Sequence, residues 1–161
     1  MDRGVAKEFA EQAHFLFVYS REAHPGEIFP HHTSYEQKVR HAAAFRERGL
    51  SRPILIDTLG GQVHRLYLGM PNMTWIVDHT GRVAFKASWT IAPDIQAALE
   101  ETLQLRELRR QGGTSVVYYR EIVGMRPAER SGFDDSLWLG GKKALEDMRR
   151  FSEEAKKRSG P

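Results

Sequence analysis

Glu22 and His24 stand two residues apart, just past the apolar run Phe15–Tyr19. In extended backbone that spacing turns both side chains the same way, so a carboxylate and an imidazole can share a proton or a ligand. Arg21, Glu27, His31 and His32 crowd the same stretch, around Pro25 and Gly26. A polar loop at the end of a buried strand is where α/β proteins place chemistry. Two other readings use the same residues. In one, the carboxylate caps a turn and the imidazole faces solvent. In the other, His24, His31 and His32 with Glu22 or Glu27 offer the nitrogen and oxygen donors that Zn²⁺ takes. Their spacing matches no known cage, so no metal and no cofactor are assigned.

The elements around this loop follow from periodicity. Val5, Phe9 and Ala13 are spaced as in the tail of a helix. Phe15 to Tyr19 is continuously apolar, which predicts a strand covered on both faces. Thr33 with Glu36 forms a capping box, and Tyr35, Val39, Ala42 and Ala43 give the next helix its apolar stripe. Gly49 suits its C-terminal cap. The short buried strand ILID follows Pro53, and Gly60-Gly61 turns into a short helix, VHRLYLG. Strands at Thr74–Val77 and Val83–Lys86, with Asp78-His79-Thr80-Gly81 between them, predict a hairpin. Pro93 opens a helix whose face runs through Ile95, Leu99, Thr102 or Leu103, and Arg106. TSVVYYREIV reads equally as strand or buried helix. The remainder is mainly helical, interrupted at Gly140-Gly141. Strands alternating with helices imply parallel pairing, with the hairpin as an antiparallel edge.

Composition excludes several classes of function. The 161 residues include no cysteine, which removes disulfides, thiolate ligands and any thiol nucleophile of the chain's own. A formal charge of +3, with no aromatic interleaving of the basic residues, argues against nucleic acid as a partner. The apolar runs are too short for a membrane span. The first residues, MDRGVAKEFAEQ, lack an apolar signal core, so the expected location is the cytoplasm. Tyr19 reads as a strand residue first. Trp75 and Trp89 suit packing, Asp57 a strand end, and Arg82 and Lys86 the hairpin surface.

Three segments carry a resemblance. FVYSREAHPGE resembles the VY-x-x-EAHP signature of iodothyronine deiodinases and their bacterial relatives, HTSYEQKV resembles the helix start after that loop, and MPNMTWIVDHTGRVAFK is similar to the family's Pro-preceded strand and hairpin. The resemblance spans about residues 1 to 105. It implies an α/β chain of thioredoxin-like fold in a peroxiredoxin-like elaboration, with helices on both faces of one mixed sheet. Residues 1–110 would form that domain, and 111–161 a mainly helical extension packed on it. The family's function is oxidoreduction, either removal of iodine from an aromatic substrate or reduction of another thiol-reactive one. By resemblance, Glu22, His24 and His32 manage protons, Tyr19 supports the pocket, and Arg21, Met70 and Pro71 shape the substrate's approach, with Pro71 matching the loop proline such folds hold in cis.

The chain departs from the family in having no chalcogen nucleophile, and the family's first βα unit has no counterpart in it. The expected activity is therefore silent in thiol or selenol chemistry as the chain stands. A non-catalytic thioredoxin-like binding or assembly module is the alternative. The absent strand lies centrally in the family's sheet, between those at Phe15 and Thr74. Strands sit about 4.8 Å apart, so the loss leaves a gap to be closed. Direct pairing of the flanking strands, insertion of TSVVYYREIV, or a strand exchanged with a second copy in a homodimer would each close it.

Overall fold

A computed structural model describes residues 4–67, 72–115, 119–123 and 131–159. Along the chain the elements are α1 (Val5–Glu8), β1 (Phe17–Tyr19), α2 (Tyr35–Glu47), β2 (Ile54–Ile56), α3 (Gln62–Leu66), β3 (Thr74–Val77), β4 (Val83–Ala87), α4 (Ala92–Arg110), β5 (Arg120–Ile122), α5 (Ser131–Trp138) and α6 (Lys142–Ser159). The class is mixed α/β. No described helix is long and apolar enough to cross a membrane.

The chain divides into two compact units, each made of two segments. One comprises Met1–His14 and Met70–Pro127, the other Phe15–Gly69 and Ala128–Pro161. In the first, β3 and β4 pair antiparallel and β5 joins β4 in parallel, with Phe85 opposite Arg120. Asp78 builds the hairpin turn: its Oδ1 accepts from the backbone N–H of Thr80 and of Arg82, and Gly81 takes the left-handed φ of +82° that the turn needs. The core of this unit is Phe85, Ala87 and Ala98, with Ile76 and Ile122 against it.

In the second unit, β1 and β2 pair in parallel with Phe17 opposite Ile54 and Tyr19 opposite Ile56. Helix α2 connects them, as a parallel pair requires. Its N-cap is Ser34, whose hydroxyl accepts from Gln37 N–H, while Gln37 Oε1 accepts from the backbone N–H and the hydroxyl of Thr33. The cap therefore lies one residue beyond Thr33, and Gln37 takes the part expected of Glu36. The buried face of α2 also differs from the apolar stripe. Tyr35 and Val39 are exposed, whereas Lys38 and Ala42 are buried. Phe45 stacks against Phe17 and Tyr19, with ring centroids at 5.2 and 5.3 Å. A helix turns toward its sheet the face that packs best, and here Phe45 and Ala42 set that face.

Two sequence expectations about strands need correction. The single mixed sheet is found instead as two sheets, β1–β2 and β3–β4–β5. Among the described residues β1 and β3 do not pair, and the strand from TSVVYYREIV adds beside β4. The strand at Phe15–Tyr19 is not covered on both faces: Leu16, Val18 and its neighbour Leu55 are exposed. A continuous apolar run states what a strand could bury, and only the layers present decide what it does bury.

Candidate functional site

Strand β1 ends at Tyr19, and its buried ring projects toward α2. The hydroxyl meets two of the anticipated site residues at once. It donates to Glu22 Oε1 and lies 2.9 Å from His32 Nε2. With its only proton on the carboxylate, the hydroxyl oxygen can only accept from His32, which fixes His32 as the Nε2–H tautomer. Burial holds the Tyr19 pKa well above the ordinary tyrosine value, and the hydrogen bond to Glu22 and that group's charge add to it. Burial pushes His32 down to about 4, with the neighbouring His41, Lys38 and His31 opposing a further positive charge. At neutral pH the phenol and the His32 imidazole are therefore both neutral.

Glu22 and His32 line a cavity of about 370 Å³, whose other lining includes Arg21, His31, Gly61, His64 and Arg65. Apart from Glu22 the charged side chains there are basic, so the cavity suits an anion. Asp57, the residue after β2, is almost fully buried. The carboxylate accepts from Val63 N–H and His64 N–H at 2.9 Å each and so anchors the first turn of α3. Burial alone would raise its pKa. The backbone donors of His64, Val63 and Thr58, with the charge of Lys38, outweigh that and hold it below the ordinary aspartate value. Lys38 is buried from α2 and donates to the Thr58 carbonyl at 2.9 Å. Desolvation lowers its pKa, and Asp57 partly restores it. Gly61 takes φ +70°, which lets the chain turn directly from Asp57 into α3. Burial and the nearby Arg21 lower the pKa of His64.

Of the anticipated residues, Tyr19, Glu22, His32 and Arg21 come together. His24 does not join them: its Nδ1 lies 3.6 Å from Asp147 Oδ2 on α6, and its ring meets Phe133 edge-on. Glu22 and His24 thus part, because the chain after Tyr19 is no longer extended strand. Glu27 also turns to α6, accepting from Lys142 N–H at 2.7 Å and Lys143 N–H at 2.9 Å. The loop is pinned there by the Ile28 N–H to Gly140 carbonyl bond and by a close approach at Gly26, where any Cβ would lie 2.0 Å from Gly140 O. Met70 and Pro71 lie outside the described residues.

Three contributors had no sequence signal strong enough to single them out. Lys38 and His41 interrupt the apolar pattern of α2, and His64 sits in a short helix of mixed character. No protein-family model matches the chain, and no solved structure matches it.

Proposed function

We propose that the chain is a deiodinase-like module of thioredoxin-like fold that binds a small anionic, aromatic ligand in the cavity beside Tyr19. The observation that carries this reading is the Tyr19 hydroxyl, bonded to both Glu22 and His32 at the wall of a basic cavity. The order β1, EAHP loop, α2, parallel β2 supports the fold, since it reproduces one βαβ unit of such a domain. Arg21 and Arg65 attract the ligand's negative group. Tyr19, Glu22 and His32 hold the proton that a phenol or leaving group would exchange. Oxidoreduction of the family's kind needs a chalcogen that attacks the substrate, and the sequence supplies no cysteine. The chain by itself thus binds and orients without reducing.

Calorimetry with 3,5-diiodo-4-hydroxybenzoate, an iodinated phenol carrying a carboxylate, tests this. Saturable binding, weakened about tenfold by Arg21→Ala, is expected, with no iodide released when dithiothreitol is added. Absence of binding removes the ligand reading, and iodide release removes the silent one. A homodimer built by strand exchange is a further part of the proposal, favoured by β1 having β2 as its sole ladder partner among the described residues. Light scattering should then report a dimer that persists on dilution.

A further inference from the structure

Glu22, His32 and His41 converge from three places: the loop after β1, the loop before α2, and the inward face of α2. One donor atom from each lies within 4.8 Å of the other two. The rings of His32 and His41 are 5.1 Å apart, and Phe29 meets His41 edge-on at 5.2 Å. His41 Nδ1 is shut off from solvent without a hydrogen-bond partner. A buried imidazole nitrogen left unmatched in this way is costly unless something occupies it.

We propose that Glu22, His32 and His41 form a binding site for one divalent transition-metal ion of the zinc class. Two imidazoles and a carboxylate are the donor set Zn²⁺ accepts while leaving a fourth position open. Two nitrogens among three donors disfavour Ca²⁺ and Mg²⁺, which take oxygen. Metal–donor bonds of about 2.0–2.2 Å place the donors of a tetrahedral site about 3.3 Å apart. Side-chain rotation closes the remaining distance, because Glu22 and His32 both sit on loops. The Tyr19 hydroxyl is already in contact with two of the three ligands.

Charge balance defines what else the site needs. Glu22 contributes one negative charge, while Arg21, Lys38 and Arg65 bring positive charge close by. The second charge of the ion is matched by an anion in the adjoining cavity, so zinc and a small carboxylate should bind with positive coupling. The metal site itself does not rest on the organic-ligand reading, because the ion is tested alone.

The test uses the full-length protein stripped with chelator and then titrated with Zn²⁺ alone, and with Co²⁺ as a spectroscopic substitute. One Zn²⁺ per chain is expected, together with visible Co²⁺ absorption bands that Zn²⁺ abolishes. Glu22→Gln and His41→Asn should each weaken binding by about a hundredfold or more, whereas His79→Asn, in the exposed hairpin turn, leaves it unchanged. If His41→Asn fails to fold by circular dichroism, Glu22→Gln on the loop decides. No stoichiometric uptake overturns the proposal, as does uptake that Glu22→Gln leaves intact.

Discussion

Phe85 and Lys38 are each only 1% exposed, and they serve their sheets in opposite ways. Phe85 fills the unit built on β3, β4 and β5, where its neighbours Ala87, Ala98, Ile76 and Ile122 are all apolar. The charges of that unit stay at its margins, as in the Lys86–Glu121 pair at 2.7 Å. Lys38 occupies the corresponding inward position in the unit built on β1 and β2. There the buried groups are an ammonium, the Asp57 carboxylate and the Tyr19 hydroxyl, each tied to a named partner. Burying an unpaired charge costs several kcal/mol, so a small unit accepts such a set only where it is hydrogen-bonded throughout. The contrast teaches where to look for function. The apolar sheet is organised for stability, and the polar one holds the cavity.

Substitutions can break this contrast, and the largest effect belongs to the apolar unit. Phe85→Ala should cost about 3–5 kcal/mol in urea unfolding and leave ligand or zinc affinity unchanged in the fraction that folds. A smaller loss from Phe85→Ala than from Asp57→Asn would reverse the assignment of roles. Asp57→Asn should cost about 2 kcal/mol, since it weakens the bonds to α3 and leaves Lys38 without its counter-charge. This substitution also has a pH signature. The folded carboxyl titrates below the ordinary aspartate value of 3.8. Its contribution is therefore present above that value and is lost as the pH falls through the folded pKa. The difference between wild type and Asp57→Asn should narrow on acidification below about pH 4.

Tyr19→Phe sharpens the comparison at the site itself. It removes the hydroxyl shared by Glu22 and His32 while keeping the ring against Phe45, so about 1 kcal/mol of stability should go. Ligand affinity should fall more than stability does, and equal losses would mark Tyr19 as a packing residue only. Lys86→Ala should be smallest, costing about 1 kcal/mol or less in urea unfolding, because a partly exposed ion pair with Glu121 and a contact over the Trp75 ring each contribute little.

Much of the local structure was legible. Alternation and turn chemistry located the β3–β4 hairpin, with Asp78 and Gly81 at its bend, and Gly140-Gly141 separates α5 from α6 as expected. The stripe of α2 misled, since Tyr35 and Val39 advertise an apolar face that the helix leaves outward. The inward face carries Lys38 and His41, which no hydropathy pattern marks as buried. The pairing of Glu22 with His24 failed for a related reason: alternation holds only while the chain stays extended.

The sequence by itself determined which stretches are helix, strand and turn, the absence of a thiol, and the cluster of acid, imidazole and guanidinium after β1. Those depend on neighbours a few residues apart. Only the tertiary structure decided that His32 and Glu22 meet through Tyr19, that His41 and Lys38 face inward, and that β5 lies beside β4. These depend on which distant segments share a layer, and burial, which lowers the pKa of His32 and His64, arises only when those layers close.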